Sequence, residues 1–130
     1  MLGFRAITAK RELMSMAAMK ENRIATHLWV EAELRRLSDS GIGVYVTARG
    51  DKTGGMVIQK VSDLCGQCRL MGLQRDLLGK LVWINVLQDE IVPESEADLY
   101  IQRAKQRDPD LWIIEIEDRT MQADFGKNVF

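Results

Sequence analysis

Eight of the ten glycines in this 130-residue chain fall between residues 41 and 79. Glycine tolerates the positive φ that tight turns and bulges need. A stretch punctuated this way does not run as one long helix; it reads as hairpins. The strand-like segments are Val44 to Arg49, Met56 to Ser62, Cys68 to Gln74 and Lys80 to Gln88. Asp51 to Gly55 makes the first turn and Asp63 to Gln67 the second. Gly72 interrupts the third strand and predicts a bulge. The fourth strand sets Leu81, Trp83 and Leu87 opposite Val82, Ile84 and Val86. A strand apolar on both faces is covered on both or lies at an interface.

Helices bracket this region. Thr26 to Ser40 carries Val30, Leu34 and Leu37 on one face at helical spacing, widened by Leu28, Trp29 and Ala32. Thr26 is placed to cap this helix and Gly41 to end it. A second helix follows Pro93. Ser95 with Asp98 has the spacing of a capping box, and Ala97, Ile101 and Ala104 mark a buried face. Asp108-Pro109 stops it. Leu111 to Glu117 is a fifth strand. The expected fold is α+β, in the order α-β-β-β-β-α-β. It is an antiparallel β-meander of about five strands, with two main helices packed on one face. The fifth strand can pair antiparallel beside strand one or parallel beside strand four, and the first is the expectation. Residues 25–119 form the domain, 1–24 a basic extension with a possible extra helix, and 120–130 a tail.

Composition removes several function classes. Lys plus Arg number 18 against 19 Asp plus Glu, a net charge of −1. Phosphate affinity needs clustered cations, so no nucleic-acid partner is expected. No apolar run approaches the ~20 residues that span a bilayer. The two cysteines lie three positions apart, which fits a reducing, cytoplasmic setting better than a disulfide scaffold. The first 24 residues carry Arg5, Lys10, Arg11, Lys20 and Arg23 against Glu12 and Glu21. With Met14, Met16 and Met19 there, translation is expected to start late and leave a loosely held extension.

Two stretches carry a family likeness. They are His27-Leu-Trp-Val-Glu-Ala-Glu-Leu-Arg-Arg36 and Asp108-Pro-Asp-Leu-Trp-Ile-Ile-Glu-Ile-Glu-Asp-Arg119. With the glycine-rich strands between them, residues 26–119 resemble the small alphaproteobacterial family named domain of unknown function 1491. The resemblance implies a bacterial, cytoplasmic, single-domain protein. It brings no catalytic residue, cofactor or substrate.

The residues themselves offer three functional readings. The first is a non-enzymatic domain that works through protein contacts, including a homodimer, because no catalytic set is recognisable while strands four and five are apolar on both faces. The second is a metal-dependent hydrolase. Between Asp89 and Asp118 ten acids face only Arg103, Lys105 and Arg107. Asp108, Asp110, Glu115 and Glu117 are its metal candidates, since converging carboxylates suit Mg²⁺ or Ca²⁺. The third is a thiol or shared-zinc protein using Cys65-Gly-Gln-Cys68. That pair sits between strands without a helix start to activate it, and a closed zinc site needs two further ligands. His27, the single histidine, reads as a capping or surface residue. Asp51-Lys-Thr-Gly-Gly55 lacks the phosphate-loop spacing, so no cofactor is expected.

Overall fold

The computed structural model describes residues 26–52 and 54–126. The elements run α1 (Thr26–Asp39), β1 (Gly43–Ala48), β2 (Val57–Ser62), β3 (Gln67–Arg75), β4 (Leu81–Asn85), β5 (Val92–Pro93), α2 (Glu94–Arg107) and β6 (Trp112–Glu117). The α+β class and the element order agree with the sequence, apart from the short β5. The possible N-terminal helix lies outside the described residues.

Gly41 closes α1 with φ at +81°, and the Ile42 amide returns to the Leu37 carbonyl at 3.0 Å. Such a left-handed glycine satisfies carbonyls that the last helical turn leaves open. The helix buries Val30, Glu33 and Leu37, while Leu28 faces solvent. At α2 the capping box does not form. Pro93 holds the cap position without a side-chain bond, and Asp98 turns to a lysine on the sheet. Asp108, ahead of Pro109, ends this helix as expected.

The strand path is β1-β6-β2-β3-β4, with β5 attached to β3. The β2–β3 and β3–β4 hairpins form as read. The first two strands do not pair. Instead β6 enters between them, antiparallel to β1, as expected, and parallel to β2. The pattern Trp-Ile-Ile-Glu-Ile-Glu explains the placement. A strand this apolar on both faces is stabilised most at the centre, where both faces are covered. β1 exposes Tyr45 and Thr47 and suits the edge. Its connection to β2 is a wrap rather than a tight turn. The Asp51 amide donates to the Asp110 carbonyl at 3.1 Å, and Trp112 Nε1 donates to the Asp51 carbonyl at 2.8 Å. Gly50 and Gly55 serve that close approach, because a Cβ on either would collide with the Asp110 carbonyl.

The helices pack on opposite faces of the sheet, not on one. Val30 and Leu37 of α1 meet Val57, Val61, Met71, Trp112, Ile114 and Ile116. Ala97 and Ala104 of α2 meet Ile58, Leu70, Cys68 and Ile113. Successive residues of β2 and β6 point to opposite faces, so two apolar faces require two covering layers. Gly72 does not bulge; its register continues on both sides, and its missing Cβ admits Val86.

Nor does the core end at residue 119. Phe125 is 1% exposed and meets Trp29 and Trp83 edge-on, with centroids 5.6 and 6.5 Å away. Glu33 Oε1 accepts the Gly126 amide at 2.7 Å, and Arg36 donates to the Asp124 carbonyl at 2.8 Å. Asp118 turns the chain. Burial pushes its carboxyl up, but bonds from Thr120, Ala123 and Gln122 outweigh this and hold it below the ordinary aspartate value. Met121 and Ala123 pack against the same cluster, but they are scattered among polar residues without a helix or strand period, which is why residues 120–130 read as a tail.

Candidate functional site

The face under α2 carries the densest charge cluster. Lys60 lies in the middle of central strand β2, its residue 4% exposed. Its Nζ donates to Asp98 Oδ1 at 2.7 Å, Glu94 Oε1 at 2.8 Å and Glu115 Oε1 at 3.3 Å. Glu94 and Asp98 come from the first turns of α2, and Glu115 from β6 beside Lys60 in register. A buried ammonium is costly unless paired. Burial works to discharge Lys60, and its carboxylate partners more than offset that, so it stays protonated above the ordinary value of 10.5. Lysine has three N–H donors, and all three are engaged. Lys60 is therefore neither a nucleophile nor an anion site.

Two depressions flank this cluster and share Glu115. A cavity of about 110 Å³ is lined by Lys60, Ser62, Glu94 and Glu117. A larger groove of about 440 Å³ runs between α2 and the β6–β1 part of the sheet. Asp98, Ile101, Gln102 and Lys105 line one wall at helical spacing, over a floor of Ile113 with Thr47 beside it.

The second conspicuous region is the β3–β4 hairpin. Leu77 is 105% exposed and Leu78 93%. Their loop is tightly built. Asp76 Oδ1 accepts the amides of Leu78 and Lys80, each at 2.9 Å, and Arg75 donates to the Gly79 carbonyl at 2.7 Å. Leu81–Asn85 then forms an edge strand, with no neighbour beyond it among the described residues.

The metal candidates are spread out. Asp108 and Asp110 stand in the turn between α2 and β6, where Asp108 Oδ1 accepts the Asp110 amide at 3.0 Å. Glu115 is bonded to Lys60, and Glu117 lies beside Gly43. Among the described residues, no three His, Cys, Asp or Glu side chains gather closely enough to hold a metal ion. Lys60, Glu94 and Asp98 escaped the sequence reading. The available signal was a lysine flanked by Val57, Ile58 and Val61 in a strand-like segment.

Cys65 and Cys68 separate by environment. Cys65 is exposed in the β2–β3 turn, and its amide donates to Asp63 Oδ1 at 2.7 Å. Cys68 is buried opposite Ser62 and Val92, and burial pushes its thiol up to about 11. Thiolate, not thiol, is the reactive form. A maleimide should therefore label the folded protein once, at Cys65, with Cys68 reacting only after unfolding. Peptide mass mapping that found Cys68 labelled first would contradict this placement. His27 is half-buried in the first turn of α1, and its Nδ1 is buried without a hydrogen-bond partner among the described residues.

Against known proteins, the model of the family described as a protein of unknown function, DUF1491, matches residues 24–125. A crystal structure of a DUF1491 family protein from Caulobacter crescentus CB15 is 34% identical, with a TM-score of 0.64. It aligns with 71% of this chain and 85% of its own. An NMR structure of a DUF1491 family protein from the same organism is also 34% identical, covering 75% and 87% with a TM-score of 0.65. Protein Atu0922 from A. tumefaciens, at 24% identity and TM-score 0.57 over 80% and 90%, shares the fold. No curated protein matches the chain. No helix among the described residues is long and apolar enough to cross a membrane.

Proposed function

Since this chain belongs to the DUF1491 family, whose function is unknown, we propose that it is a small non-enzymatic domain of the cytoplasm that acts through protein contacts, the first partner being a second copy of itself. The observation that carries this reading is the pair of fully exposed leucines on a rigid hairpin. Contiguous apolar surface left in water favours association. A floppy loop would let Leu77 and Leu78 fold back, whereas the Asp76 bonds hold them outward. The adjoining β4 edge has no charged residue between Leu81 and Asn85, so nothing on it repels another strand. Two β4 edges pairing antiparallel give a two-fold dimer. Each hairpin tip then reaches the far end of the other β4, where Ile84 is half-exposed.

Native mass spectrometry and light scattering across a concentration series test this. The dimer should be present at tens of micromolar, an affinity ordinary for a small interface. Leu77→Asp combined with Leu78→Asp should give a monomer with an unchanged melting temperature, because neither side chain contributes to the core. A wild-type protein that stays monomeric at millimolar concentration sinks the self-association reading. A dimer untouched by the double variant places its interface elsewhere.

A further inference from the structure

We infer that the groove between α2 and the β6–β1 side of the sheet is a binding site for a small organic amine, a protonated nitrogen carried on an apolar body. This does not rest on self-association, which uses another edge of the sheet. The argument begins with counting hydrogen-bond positions. Lys60 spends its three donors on one oxygen each of Glu94, Asp98 and Glu115. A carboxylate has two oxygens and about four acceptor positions. The cluster therefore has no ammonium donor left for an anion, and several acceptors left for a cation. Its formal charge is negative, with three carboxylates around one ammonium, and their side chains are 36–56% exposed. Asp98 and Glu115 open toward the groove.

The rest of the groove selects the body of the ligand. Ile101 and Ile113 supply an apolar middle. Its volume, about 440 Å³, is of the size that encloses small ligands. Lys105 stands at the opposite end, seven residues along the helix from Asp98, or about 10 Å away at the α-helical rise. A second cation there is repelled. The site thus fits a single positive charge on an apolar chain or ring shorter than that span, and disfavours a polyamine.

An ¹⁵N NMR titration of the full chain with 4-phenylbutylamine tests this, with 4-phenylbutanol and spermidine as comparisons. Saturable shifts are expected at Ile101, Gln102, Ile113 and Glu115. The amine should bind about tenfold more tightly than the alcohol, since a charge-assisted hydrogen bond is the stronger kind. Gln102→Trp fills the groove without touching a charge and should abolish binding. Glu115→Gln leaves Lys60 paired with Glu94 and Asp98, and should shrink the amine's advantage over the alcohol to what Asp98 alone supplies. Equal binding of amine and alcohol by the wild type overturns the inference. So does spermidine binding as tightly as the amine, shifts that map to another face, or no saturable shift at all. Repeating the titration on the Leu77→Asp, Leu78→Asp protein keeps the outcome separate from self-association.

Discussion

Phe125→Ala should destabilise the protein by about 3–5 kcal/mol, the range for emptying a buried phenylalanine site. The side chain is 1% exposed and wedged edge-on between Trp29 and Trp83. Its loss removes both ring contacts and opens the layer between α1 and the sheet. Native domains hold only about 5–15 kcal/mol in total, so this is a large share. Urea unfolding followed by tryptophan fluorescence reads it directly, since two of the three tryptophans flank the site. Phe125→Leu keeps most of the volume and should cost clearly less. A cost under about 1 kcal/mol for the alanine variant would show that the C-terminal stretch is not part of the core.

Neutralising the partners of Lys60 should have a comparable effect. In the combined Glu94→Gln, Asp98→Asn, Glu115→Gln variant the ammonium stays buried with no counter-charge. Stranding one member of a buried ion cluster costs about 3–5 kcal/mol. Lys60→Met should cost less, because the carboxylates it leaves are partly exposed and can rehydrate. The pH dependence separates the two states of the lysine. In the wild type the folded pKa lies above the ordinary 10.5. Its contribution is therefore complete below 10.5 and fades only as pH rises through the folded value. In the triple variant burial acts unopposed and the folded pKa falls below that of the unfolded chain. The unfolded state then binds more protons in the window between them, so stability climbs with pH there. Denaturation between pH 8 and pH 10 should show the variant gaining stability relative to the wild type, a difference in which the fall that both share as the unfolded Cys68 thiol ionises ahead of the folded one cancels. Parallel profiles would show that the carboxylates do not set the charge of Lys60.

Much of the architecture was legible because hydrophobic period and glycine position report local structure. Gly41 marked the end of α1, Pro93 and Pro109 bracketed α2, and the doubly apolar Leu111–Glu117 run marked a strand needing cover on both faces. What stayed hidden was long-range. Nothing local says that residues 112–117 pair with residues 57–62 in parallel, or that α1 and α2 take opposite faces. Gly50 and Gly55 read as turn residues, yet their small size answers to the Asp110 carbonyl, more than fifty residues away. The candidate site suffered in the same way. Glu115 was visible as an acid on strand five, but its partner Lys60 lies on another strand, and Asp98 looked like a cap. The acids Asp108, Asp110 and Glu117 share a sequence neighbourhood without sharing a site.

The insertion of β6 between β1 and β2 has a consequence for how the chain acquires its shape. β2, β3 and β4 can zip together from neighbours in sequence, on the timescale of hairpins. β1 has no strand to join until β6 arrives. Closing the sheet means looping back across more than fifty residues, and that entropy is lost before the parallel pairing returns any energy. Growth of the chain on a ribosome therefore leaves β1 and the free side of β2 unsatisfied until the segment around Trp112 has been made. The sheet closes as a late, cooperative step, and a chain cut short before Trp112 would hold a hairpin unit and two unpaired edges, the form most open to capture by chaperones or by other chains.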